Sequence, residues 1–287
     1  RVLSDLDGGL AIASSGNLGG NTANVTQNGG SLTSSGTYDI SNGGSFTQTG
    51  GTGSYSNELW VGGSGTSTMT MSGGSITTNA WVAIGRNGTG TLNMSGGTLT
   101  SSATANNSFA VIGSFGGSSG TANISGGTFA SAQDIYVGES GAGALNVSAA
   151  GAVTAADGVR LGVNATGTGV VNLDGGSIST NLVTKGAGTG TFNFNGGTLK
   201  ATANNATFIT GVTTDVKAGG AKIDSNGFNV TSVADLTGAG SLEKLGAGAL
   251  KLSGAANSVS SVAVSAGTLF VTGQLTAASG VSVADGA

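Results

Sequence analysis

The sequence contains neither His nor Cys, so the usual general base and thiol nucleophile are missing. Paired carboxylates are the remaining route to hydrolytic chemistry. The 13 acidic residues are mostly isolated, as at Asp39, Glu58, Asp134, Glu139, Asp157 and Asp174. Asp134 and Glu139 are spaced to approach across a turn, and Asp157 lies close to Arg160 in sequence. Solvated turn residues are the commoner explanation of such acids. No catalytic or cofactor-binding residue is assigned, and no enzyme activity is expected. Ser4-Asp5-Leu6-Asp7-Gly8-Gly9 offers a few oxygen ligands of the kind calcium takes. It lacks the further acids of a helix–loop–helix calcium loop and the tandem Gly-Gly-x-Gly-x-Asp run of calcium-binding repeats. It reads as a polar N-terminal turn, and no metal site is expected.

Two sets of residues are better candidates for contact. Asn93, Asn123, Asn146, Asn172 and Asn193 occupy matching positions of a repeated phrase, and Asn24 is a candidate earlier member. Stacked identical amides form hydrogen-bonded ladders, so a structural column is favoured over a glycan-binding strip. Several of these also read as Asn-x-Ser, a pattern frequent by chance in so Asn-rich a chain. Trp60 and Tyr136 fall at the outward position of another phrase, with Ala83, Val111 and Arg160 at the equivalent places. Exposed rings stack on sugars or bury at an interface, although single exposed aromatics are ordinary. Trp81, one residue before the same phrase, is expected to pack at a corner. Thr68-Met69-Thr70 hints at the flat threonine array of an ice-binding face, but no regular Thr-x-Thr row follows it, so that role is set aside.

The elements that carry these residues follow from a repeat, which is sought before any local assignment. Gly-Gly-Ser/Thr-apolar-Thr and close variants begin at Gly29, Gly43, Gly73, Gly96, Gly126, Gly175 and Gly196. An apolar-x-apolar-Gly phrase precedes most copies, as at Leu59–Gly62, Val82–Gly85, Ala110–Gly113, Ile135–Gly138 and Val159–Gly162. A third phrase holds the Asn residues: Leu92-Asn93-Met94 and Phe192-Asn193-Phe194 are examples. Each alternates apolar and polar residues, the mark of a short strand with one buried face. Leu92 and Met94 therefore point inward and Asn93 outward. Glycine-rich corners separate the phrases and suit backbone with positive φ. The sequence predicts an all-β fold, a right-handed parallel β-helix (β-solenoid) of about twelve coils. Each coil has about 24 residues and three short strands. The chain is expected to form one solenoid over 1–287, with irregular coils at 1–57, regular coils at 58–200 and C-terminal coils at 201–287. The 14-residue gap between Gly29 and Gly43 suggests a shortened coil or a cap near Tyr38.

Composition supports this reading. There are 57 Gly and no Pro, only 8% of residues are charged, and the net charge is −4. Collagen needs Pro and Gly at every third place, and disorder needs fewer apolar residues than the 37% present. The nine Lys and Arg are scattered, so no nucleic-acid footprint is present. No apolar run is long enough for a membrane helix.

The segment Gly238-Ala239-Gly240-Ser241-Leu242-Glu243-Lys244-Leu245-Gly246-Ala247-Gly248-Ala249-Leu250-Lys251-Leu252-Ser253-Gly254 resembles the autotransporter-associated β-strand repeat. The likeness continues through Asn257 and Val264-Ser265-Ala266-Gly267-Thr268-Leu269-Phe270-Val271, covering 238–273. The aromatic that usually follows the Asn is absent. The resemblance implies a right-handed β-helix exported across a bacterial envelope and displayed on the cell surface or in the matrix. It implies no single activity. The expected function is a non-enzymatic extracellular stalk or filament that associates end to end. The alternative is an adhesin module that binds a glycan or a host surface through a lateral strip.

Overall fold

The computed structural model describes residues 2–3, 10–12, 16–17, 24–102 and 109–286. The Asp5 and Asp7 turn lies outside them. The described residues contain no helix and form stacked parallel strands, a β-solenoid of about 11 turns with roughly 23 residues per turn. At about 4.8 Å per coil the stack is about 50 Å long.

Alternation of side chains fixes the stack. Asn24 aligns with Ser45, Ser45 with Thr68, and Thr68 with Thr91, so every coil places the same positions over the coil before. The inward residues form apolar columns: Val25, Phe46, Met69, Leu92, Ala122, Leu145, Val171 and Phe192 make one of them, all buried. Burying each large apolar side chain contributes about 1.5–3 kcal/mol.

Two sheets among the described residues carry most of the strands, a long one of 19 strands and a short-strand one of 12. The expected three strands per coil hold at both ends of the rod. In its middle, Thr89–Ser101, Ser119–Ser131, Ala142–Ala155 and Thr168–Thr180 each run as one strand of 13 or 14 residues. The first two expected strands have fused there and bend at the Gly-Gly pair or its counterpart. Coil length is uneven: the step from Asn93 to Asn123 is 30 residues and that from Asn172 to Asn193 is 21. Relative to the next step, most of the additional residues fall between Ser101 and Ala110 and the rest between Ile112 and Ser119.

The suspected shortened coil near Tyr38 is not a coil boundary. Gly29–Gly30 lies beneath Gly51 one coil on, whereas Gly43 occupies a different corner of the same coil. Similar phrases at two corners produce the 14-residue gap. Tyr38 is buried and stacks on Tyr55 at 4.8 Å, with Phe46 edge-on at 5.8 Å. Gly53 leaves room for this cluster, since a Cβ there would lie 2.8 Å from Ile76 and 3.1 Å from the Tyr55 hydroxyl.

Corner glycines are needed for space as well as conformation. Gly62 has φ 78°, and a Cβ there would lie 2.6 Å from the carbonyl carbon and oxygen of Thr89. Gly62→Ala is expected to cost about 2–4 kcal/mol, because left-handed strain and a backbone clash act together. Chemical denaturation checks this, and an unchanged midpoint would contradict it.

The inward face also holds polar groups that bond to corners. Lys244 lies in an apolar column between Ile223 and Val264, fully buried. Its ammonium donates to the carbonyls of Leu245 (2.9 Å), Gly246 (2.7 Å) and Ala266 (3.0 Å). Burial pushes its pKa down, and the Asp224 carboxylate opposes that shift. Asn257, also buried, accepts from the Leu236 amide at 2.9 Å and donates to the carbonyls of Gly254 and Gln274, each at 3.0 Å. Lys244→Met removes the donor to three carbonyls and is expected to cost about 2 kcal/mol. A thermal melt that shows no loss would contradict this role.

Candidate functional site: an aromatic face and an amide ladder

Outward residues differ sharply between the two sheets. Along the long sheet, Ser31, Thr52, Ser75, Thr98 and Thr128 form one outward column. Thr33, Ser54, Thr77, Thr100 and Ala130 form the next. Thr68 and Thr70 align with Ser45 and Thr47 below and with Thr91 and Asn93 above. The Thr-x-Thr pair is therefore not repeated in register: Ser45 replaces its first threonine in the coil below and Asn93 its second in the coil above.

The five predicted Asn residues stand in one column, and their amides form a chain. Asn123 donates to Asn93 at 2.8 Å, Asn146 to Asn123 at 2.7 Å, Asn172 to Asn146 at 2.7 Å and Asn193 to Asn172 at 2.7 Å. All four bonds point the same way. Thr70 precedes the ladder and Asp215 follows it. Asn24 belongs elsewhere: it is level with Ser45, whose hydroxyl donates to it at 2.6 Å, and Thr26 occupies the ladder column in that coil. An interior member makes two ladder bonds and Asn93 makes one. Asn146→Ala should therefore cost about 1–3 kcal/mol, roughly twice the loss from Asn93→Ala, by urea denaturation. Equal losses would contradict an additive ladder.

The short-strand sheet presents a different chemistry. Its central outward column runs Asp39, Trp60, Ala83, Val111, Tyr136, Arg160, Thr184. Trp60 and Tyr136 are half-buried, yet Ala83 and Val111 between them are fully buried although they face away from the core. Aromatic side chains crowd around them. Phe109 stacks on Tyr136 at 4.3 Å and lies 4.7 Å from Trp81. The Arg86 guanidinium sits 4.3 Å from the Trp60 ring centre, 5.1 Å from Trp81 and 5.2 Å from Phe115. Such cation–π contacts contribute about 0.5–2 kcal/mol each. Trp81 thus joins an exterior aromatic layer instead of filling a corner. Sequence reading missed Phe109, Phe115 and Arg86, which stand one or two residues outside the apolar-x-apolar-Gly phrase and so off its alternation.

Charged groups flank the rings. Glu58 accepts from the Trp60 indole and pairs with Arg86 at 3.5 Å. Asp134 pairs with Arg160 at 2.8 Å, and Glu139 accepts from the Ser114 hydroxyl at 2.8 Å. Arg160 is thus the partner of Asp134 and not of Asp157. Burial pushes the Asp134 carboxyl above its usual range, with Arg160 opposing. Burial also raises Asp39, against hydrogen bonds from Ser41 and Gly63 and the charge of Arg86. Asp134, Tyr136, Arg160, Val163, Thr184, Lys185 and Gly186 line a shallow groove of about 340 Å³. It holds one carboxylate, so it lacks the paired acids of glycoside hydrolysis.

Among the described residues no three His, Cys, Asp or Glu come together as a metal site, and no helix is long and apolar enough to cross a membrane. No family model matches the chain, and neither a curated protein nor a solved structure matches it.

Proposed function

We propose that this chain is a non-enzymatic structural rod of the cell exterior, working as a stalk or head-to-tail filament. The observation that carries this reading is the unbroken parallel stack, in which each strand bonds to its equivalent one coil on and apolar columns run from coil to coil. Val264, Leu269, Val271, Leu275, Val281 and Val283 line an apolar recess of about 310 Å³. Val281 and Val283 are 57% and 62% exposed although they continue inward columns through Val262 and Val264. The outer edge of Val281–Val283 meets no further described strand, so its backbone groups are ready to pair. A further coil of the same cross-section fits both the recess and the edge, supplied either by continuation of the same stack or by a second copy of this chain. A head-to-tail contact of that kind generates an open fibre. The likeness of 238–273 to autotransporter repeats supports export and surface display.

The test is sedimentation and negative-stain microscopy over a concentration series. Narrow filaments of constant width are expected, and the double substitution Val281→Lys, Val283→Lys is expected to leave short single rods. Compact monomers at every concentration would overturn the reading.

A further inference from the structure

We propose that the short-strand face is a binding strip for a neutral linear polysaccharide that lies along the rod axis. This goes beyond the structural reading and does not depend on it.

The first observation is segregation. Trp60, Trp81, Phe109, Phe115, Tyr136 and Phe270 are the aromatic side chains lying outside the core among the described residues. Five of them sit on or directly before strands of the short sheet, and Phe115 sits in the turn that follows one. The long sheet, over the same coils, shows hydroxyls and amides. An unselected exterior would scatter its rings over every face.

The second observation is rigidity. Trp60, Arg86, Trp81, Phe109 and Tyr136 form one contiguous layer, closed over Ala83 and Val111. Their rings are held before any ligand arrives, which lowers the ordering cost of binding. From the coil of Trp60 to that of Arg160 the strip spans about 20 Å at about 4.8 Å per coil, room for several sugar units in a row.

The third is charge. Arg86 is matched by Glu58 and Arg160 by Asp134, and the other charges on the strip, Asp39, Glu139 and Lys185, are of mixed sign, so no run of one sign is present to draw a polyanion or polycation. What it offers is ring surface for the C–H faces of pyranoses, edged by carboxylate and guanidinium groups that bond hydroxyls. The shallow groove beyond Tyr136 suits a chain passing over the surface better than a small molecule enclosed in a pocket.

The experiment is native electrophoresis of the intact chain through gels containing soluble β-glucan, mannan or xylan, with alginate as the acidic control. Retardation in at least one neutral gel is expected. Trp60→Ala and Tyr136→Ala should each weaken it by about tenfold or more. Tyr136→Phe, which keeps the ring, should retain most of the retardation, as should Thr77→Ala on the long sheet. Circular dichroism melts identify any variant that has lost its fold, and Tyr136→Ser replaces it in the series. No retardation in any neutral gel, retardation confined to alginate, or retardation unaffected by loss of the rings would each overturn the proposal. Filament formation is read separately, so failure of one proposal leaves the other standing.

Discussion

One coil's backbone must meet the next at constant register, and nearly every other feature answers to that requirement. Each strand bonds to the equivalent strand about 23 residues on, so side chains pile into columns and every position is repeated vertically. Stability in such a stack is close to a sum of coil and nearest-neighbour terms. The columns then divide the work. Inward columns make the core, outward columns make the faces, and corners must turn without pushing neighbouring coils apart. Glycine at Gly62 is a consequence: positive φ turns the chain, and the absence of Cβ lets the next coil approach.

The same requirement creates a difficulty that polar residues resolve. Corners leave carbonyls facing inward, and a buried carbonyl without a donor is costly. Small hydroxyls answer it where space is short: Thr78 and Ser101 both donate to the Ala80 carbonyl at 2.9 Å, and Ser131 donates to that of Asp134 at 2.9 Å. Lys244 and Asn257 do so toward the C-terminal end with longer reach. These two are the residues that give the 238–273 motif its Lys and its Asn, so the motif has a physical basis in corner satisfaction.

How legible this was in the sequence depended on the signal. Period-2 alternation at Leu92-Asn93-Met94 assigned inside and outside, and the identical Asn positions marked a column whose amide bonds the structure shows. Register was less legible. Asn24 looked like a ladder member because its local phrase is similar, yet a two-residue offset puts Thr26 in that place. Gly29 and Gly43 looked like successive repeats because two different corners use similar phrases. The aromatic layer was visible only as Trp60 and Tyr136. Arg86, Phe109 and Phe115 reach it from turns, and turn side chains carry no periodic signal to announce their direction.

The rod therefore has two kinds of exterior, a hydroxyl and amide surface on the long sheet and an aromatic, charge-paired strip on the short one. Its last described coil leaves core residues uncovered. Pairing of that coil with a second copy is the claim on which the proposed head-to-tail filament rests. Amide hydrogen exchange at Val262–Val264 and Val281–Val283, measured at low and high protein concentration, tests it most directly. The account predicts fast exchange at Val281–Val283 in dilute solution and strong slowing as concentration rises, while the central coils stay protected throughout. Exchange at the last coil that is independent of concentration, or central coils that exchange as fast as the end, would contradict it.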